Sequence, residues 1–246
     1  AGASVQVNTF VQGWQSEPRI VAMTDGGFVV VWTSDADQDG DGSGIFGRRY
    51  DASGVAVGGE FQVNTFTDFS QLRPSVAALS GGGFIVVYQD GGNDPSPGSY
   101  YDIAGQIYDA NANPVGSEFR INTLDISGRQ RDPSVFSLNN GGFAVVWDSQ
   151  TDVNSDQRWI RGQYFDANGS RVGHLFTLAT YAQPDVNPDS TEDLRPEVVQ
   201  LQNGALAVAW HALDAVAGDS KVYVQVVDES IDTLSLASSL EGGGGN

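Results

Sequence analysis

The run Gly26-Gly27-Phe28-Val29-Val30-Val31-Trp32 returns as GGFIVVY at Gly82–Tyr88, as GGFAVVW at Gly141–Trp147, and in worn form as NGALAVAW at Asn203–Trp210. Each run is β-branched and aromatic, which reads as a short strand buried on both faces. The glycines at its head suit a tight turn. Working outward, a proline-led segment precedes each run, at Pro18, Pro74, Pro133 and Pro196. An alternating segment follows it: IFGRRYD, IAGQIYD, IRGQYFD and VYVQVVD, ending at Asp51, Asp109, Asp166 and Asp228. A fourth segment carries VNT or INT at Val7–Thr9, Val63–Thr65 and Ile121–Thr123, worn to LAT at Leu178–Thr180. Four strand-like segments in a unit of roughly 40 to 60 residues, repeated four times, are the signature of propeller blades. The expected fold is all-β: a four-bladed β-propeller of four-stranded blades over residues 1–228, with a tail over residues 229–246.

The chain ends fit that scheme. The last repeat stops at Asp228 without its VNT strand, while a surplus copy stands at Ser4–Thr9. The N-terminal strand is expected to pair with the last blade and close the ring. Strand order then runs from the proline-led strand at the axis to the VNT strand at the rim. Two sets of longer loops share one face, 10–17, 66–73, 124–132 and 181–195 in one set and 33–44, 89–102, 148–159 and 211–221 in the other. Only short SGGG and DASG turns occupy the opposite face. Binding belongs on the long-loop face or at the mouth of the central channel.

Charge excludes several partners. Lys and Arg number 12 against 31 Asp and Glu, a net charge of −19, so no nucleic acid is expected to bind. An acidic surface suits an extracellular or saline setting, or one that recruits cations. There is no cysteine and there are two histidines, which removes disulfides, thiolate chemistry and Cys-ligated zinc. No apolar run approaches the ~18 residues of a membrane span, so no membrane insertion is expected. A closed ring exposes few strand edges, and a monomer is the expectation.

Candidate site residues lie in the long loops. Asp35, Asp37, Asp39 and Asp41 alternate around Gly40 in DADQDGDGSG, and hard oxygen ligands at that spacing suit Ca²⁺. The twelfth position from Asp35 is Phe46 instead of a glutamate, so this is no EF-hand. Sparser metal candidates are Asp90 and Asp94 in the second repeat, and Asp148, Asp152, Asn154 and Asp156 in the third. Solvated turns are the plainer reading of all these loops. Arg73, Arg131 and Arg195 stand beside the strand-opening prolines, where they either grip an anionic ligand or pair with loop aspartates. Trp14, Phe69, Tyr101 and Trp159 offer rings that stack on sugars or roof the layers between blades. Trp32, Tyr88, Trp147 and Trp210 hold equivalent repeat positions and read as core. No nucleophile signature accompanies His174 or His211, and abundant carboxylates leave a glycosidase pair open without pointing to one.

The repeat GGFVVVW…GIFGRRYDASGVAVGGEFQVNT resembles modules of large secreted bacterial proteins of the RTX, or haemolysin-type calcium-binding, group. The closing Gly242–Asn246 resembles the start of that group's nonapeptide repeat. The resemblance implies type I secretion, an extracellular or cell-surface location, calcium, and roles in adhesins, secreted hydrolases and their accessory domains. The function expected is a non-catalytic, calcium-stabilised module of a larger secreted or surface protein, binding a glycan or protein partner. The alternatives are a propeller-type polysaccharide hydrolase using an Asp/Glu pair, and a structural spacer or assembly subunit.

Overall fold

The structure, a computed structural model, describes residues 4–91, 101–124, 128–150, 157–182, 195–213 and 220–227. Four antiparallel sheets follow one another along the chain. Blade 1 comprises β1 (Gln15–Ala22), β2 (Phe28–Ser34), β3 (Gly44–Tyr50) and β4 (Ala56–Gln62). Blade 2 comprises β5 (Gln71–Ala78), β6 (Phe84–Asp90), β7 (Asp102–Tyr108) and β8 (Pro114–Arg120). Blade 3 comprises β9 (Arg129–Ser137), β10 (Phe143–Gln150), β11 (Gln157–Phe165) and β12 (Arg171–Ala182). Blade 4 has three strands among the described residues, β13 (Glu197–Gln200), β14 (Leu206–Leu213) and β15 (Ser220–Val227). The proline-led strands lie innermost, with β5 packed on β1, β9 on β5 and β13 on β9. This is the expected propeller of four blades.

Successive residues of the GGF runs point to opposite faces, and in blades 2 and 3 each face meets a neighbouring blade. Val29, Val31 and Ile45 of blade 1 pack on Phe84, Val86 and Tyr88 of blade 2. Ile85, Val87 and Ile103 of blade 2 pack on Phe143, Val145 and Trp147 of blade 3. Ala144, Val146 and Ile160 of blade 3 pack on Leu206, Val208 and Trp210 of blade 4. The four repeat-equivalent aromatic residues are therefore core, as the sequence indicated. A second aromatic register joins the phenylalanine of GGF to the ring before the turn aspartate. Phe28–Tyr50, Phe84–Tyr108 and Phe143–Phe165 stack at 4.8, 4.8 and 5.0 Å.

The short-turn face is built by the same device three times. Asp51, Asp109 and Asp166 each accept two backbone N–H groups through Oδ1, from residues two and four places on. Such side-chain capping is why Asp ends the third strand of the repeat.

Closure differs from expectation. Residues 4–14 form no strand, and β15 is an edge with Val222, Val224 and Val226 exposed. The N-terminal segment is instead held by blade 1. Arg48 donates to the Val7 carbonyl at 2.9 Å, and Glu60 accepts the Thr9 N–H. Blade 1 thereby anchors this segment before it reaches a β15 edge. The tail over 229–246 lies outside the described residues.

Close packing sets a test. A Cβ on Gly83 would run into the Tyr108 carbonyl, whereas one on Gly81 meets open space. Gly83→Ala is expected to destabilise by about 2 kcal/mol and Gly81→Ala to be neutral or slightly stabilising, as read by urea unfolding.

Candidate functional site

Three of the four proline-led strands break their ladder at the same place. Proline has no N–H to donate, and the pairing shifts register beside Pro18, Pro74 and Pro133. The residue before each proline adopts the left-handed region without being glycine: Glu17 (φ 54°), Arg73 (φ 56°), Asp132 (φ 49°) and Arg195 (φ 41°). Such backbone strain costs about 1 kcal/mol or more per residue and gathers at functional sites. These four residues alternate acid and base from blade to blade.

The side chains of this inner ring meet across blades. Glu17 Oε2 accepts the Arg73 backbone N–H at 2.8 Å and the Thr33 hydroxyl at 2.9 Å. Arg73 Nη1 donates to Asp132 Oδ1 at 2.6 Å, and the Asp132 side chain is only 7% exposed. Arg73 thus ties three inner strands together instead of standing free for an anion. Arg195 is exposed and forms no ion pair with a described residue. Arg131 leaves the ring and lies over the Tyr101 ring, 5.9 Å from its centroid.

Above blades 1 and 2 the long loops join into one surface. Asp35 N–H donates to the Trp14 carbonyl at 2.9 Å, and Asp41 Oδ2 accepts the Phe69 N–H at 3.0 Å. The acidic loop therefore runs between two aromatic residues, Trp14 at 80% and Phe69 at 65% exposure. Phe69 is itself left-handed (φ 61°), at the position held by Gly13 (φ 66°) and Gly128 (φ 79°) in blades 1 and 3. A bulky exposed ring has been placed where the backbone favours glycine. Sequence reading named both rings among the loop aromatics and missed the left-handed backbone at Phe69; the signal was the lost glycine two residues before Gln71.

The acidic loop does not gather its carboxylates. Asp35 Oδ1 accepts the Ala36 N–H at 2.7 Å, and Asp37 Oδ1 accepts the Gly42 N–H at 2.7 Å. Asp39 Oδ2 accepts Asn64 Nδ2 at 2.8 Å. Each carboxylate caps a different donor, so the loop as folded presents no convergent set for the Ca²⁺ expected there. Among the described residues no three His, Asp or Glu side chains come together as a metal-ligand group. Asp90 and Asp148 are buried strand residues, the first accepting from Gln71 Nε2 at 3.2 Å and the second ion-paired to Arg158 at 3.1 Å. Trp159 is half-buried beneath Arg161, whose guanidinium lies 5.0 Å from the ring centroid. Asp94, Asp152, Asn154 and Asp156 lie outside the described residues.

The VNT asparagine proves to be the link between rim and loops. Asn64 Oδ1 takes the Ile45 N–H at 2.8 Å, and Asn122 Oδ1 takes that of Ile103 at 2.9 Å. Asn64 Nδ2 also reaches Gln71 Oε1 at 3.0 Å, which connects the acidic loop of blade 1 to the inner strand of blade 2.

No protein-family model and no curated protein matches the chain. Solved structures do. The α-L-arabinanase of Penicillium chrysogenum, solved with arabinobiose, superposes with TM-score 0.56 at 15% identity, over 87% of this chain and 57% of that one. The α-L-arabinofuranosidase of Fusarium graminearum, solved with an iminosugar inhibitor, superposes with TM-score 0.58 at 16% identity, over 89% of this chain and 59% of that one. This chain spans less than two thirds of the length of either. Likeness at this level establishes the propeller fold.

Two outcomes follow from the geometry. Arg73→Met removes the ion pair with the buried Asp132 and is expected to cost about 3 kcal/mol in unfolding free energy, with Arg73→Lys recovering part of it. Burial raises the Asp39 carboxyl above its ordinary range, against the lowering bond from Asn64. A raised acid in the folded state means that stability falls as pH rises from the ordinary aspartate range through the folded value. Asp39→Asn is therefore expected to melt higher than the parent at pH 7, with the gap closing below about pH 4.

Proposed function

We propose that this chain is a carbohydrate-binding propeller module that holds glycan on its long-loop face above blades 1 and 2. The observation that carries the reading is the pair of exposed rings, Trp14 and Phe69, flanking a loop rich in carboxylates. Flat aromatic faces stack on the apolar faces of sugar rings, and carboxylates accept from their hydroxyls. The strained backbone at Phe69 supports a selected role, because glycine there would be more comfortable. A net charge of −19 and the resemblance to RTX modules support an extracellular setting within a longer secreted protein. Calcium in the first acidic loop is part of the proposal on that resemblance, and it requires the loop to exchange its capping bonds for metal.

A second reading is glycoside hydrolysis, favoured by the carbohydrate-cleaving propellers on which the chain superposes. Glu17 and Asp132 are the carboxylates of the inner ring that such a reaction would use. Both are already bound by Arg73, Glu17 through its backbone N–H and Asp132 through its guanidinium, an arrangement that suits binding better than proton donation.

Titration against a polysaccharide panel that includes arabinan separates these readings. Trp14→Ala is expected to weaken binding about tenfold, the scale of one lost stacking contact. Phe69→Gly is expected to weaken it similarly while raising stability by up to about 1 kcal/mol, since it relieves a left-handed phenylalanine. Release of reducing ends that Glu17→Gln abolishes would establish the hydrolase instead.

A further inference from the structure

Among the described residues no blade covers the two ends of the blade stack, and their details match each other. Ile45, Ile103 and Ile160 are fully buried where their blades press on the next one. Pairing with His211 puts Val222 at the same position in blade 4, and it is 83% exposed. Val199, Val224 and Val226 share its face and are exposed too. At the other end Ile20 is exposed, although its counterparts Val135 and Val198 are buried against the preceding blade. A groove lined by Val7, Asn8, Pro18, Val30 and Trp32 opens on that same face of blade 1.

Residues 4–9 carry the pieces that blade 4 lacks among the described residues. In blades 1 and 2 the Val63 and Ile121 N–H groups donate back to the Ile45 and Ile103 carbonyls at 2.7 and 2.8 Å. The following asparagine accepts the same isoleucine's N–H. Asn8 keeps the turn bond of this motif, to the Phe10 carbonyl at 2.7 Å, as Asn64 does to Phe66 at 2.9 Å. Thr9 N–H meets Glu60 as Thr65 N–H meets Glu118, so the segment sits on blade 1 where a preceding blade's rim would sit. Side-chain size agrees as well. Gly47, Gly105 and Gly162 lie opposite Phe61, Phe119 and Phe176. At that position β15 has Val224, and the N-terminal segment has Val5 in place of the phenylalanine.

We propose that blade 4 of one copy of this chain docks on blade 1 of a second copy, whose residues 4–9 complete β15 as its rim strand. Within one chain β13 does not pack on β1 as the other inner strands pack on one another. The Val222 face of blade 4 and the Ile20 face of blade 1 are both left exposed. A contact between unlike surfaces repeats from copy to copy, giving a head-to-tail assembly.

The absence of native cysteine makes a clean cross-linking test. Val5→Cys and Val224→Cys variants are prepared separately, mixed, oxidised and run on a non-reducing gel. The expected result is a disulfide-linked dimer containing one chain of each variant, with the untreated parent gaining mass with concentration in sedimentation. Parent protein that stays monomeric, together with mixed variants that form no joint dimer, would overturn the proposal. So would a double variant that forms its disulfide only within single chains, which would show the chain closing on itself. Val222→Lys is expected to abolish the concentration dependence while its thermal transition persists.

Discussion

A sheet whose strands are apolar at every successive position has two faces to hide, and one sheet cannot hide both. GGFVVVW, GGFIVVY and GGFAVVW impose that condition in each complete repeat. Stacking like on like satisfies it, and the buried isoleucines Ile45, Ile103 and Ile160 mark the contact each time. Burying a valine or isoleucine of this kind stabilises by about 1.5–3 kcal/mol, so an uncovered Val222 and its neighbours matter to the whole assembly. Blade stacking also brings the proline-led strands together and orders the loops above them.

The long-loop surface grows from a local conflict in those strands. Proline breaks the ladder, the preceding residue turns left-handed, and a charged side chain leaves the regular alternation. Glu17, Arg73 and Asp132 then clasp one another across three blades. That clasp fixes the inner end of the surface, while the acidic loop, tied to the Trp14 carbonyl and the Phe69 N–H, fixes the outer part. The exposed rings are thus carried on a braced platform, which lowers the ordering cost of holding a ligand.

Much of the fold was legible because its causes are local and repeated. Glycine pairs, turn aspartates and the Trp32-type aromatic positions recur at fixed offsets, and the structure places those among the described residues as their chemistry requires. The left-handed pre-proline residues were illegible, since nothing about a glutamate or arginine advertises a positive φ. Asp90 and Asp148 were read as loop ligands because the apolar pattern ends at Tyr88 and Trp147, yet β6 and β10 run on past those rings. Phe69 was legible as a loop aromatic, but its backbone strain was not, because that shows only in comparison with Gly13 and Gly128. Ser4–Thr9 was recognisable as a spare rim strand, but sequence alone does not say which edge it joins.

Hydrogen–deuterium exchange with and without a bound polysaccharide tests the central claim most directly. The account predicts protection confined to residues 10–17, 33–44 and 66–73, with the Asp51, Asp109 and Asp166 turns of the opposite face unchanged. Protection concentrated on those turns, with the long loops untouched, would contradict it.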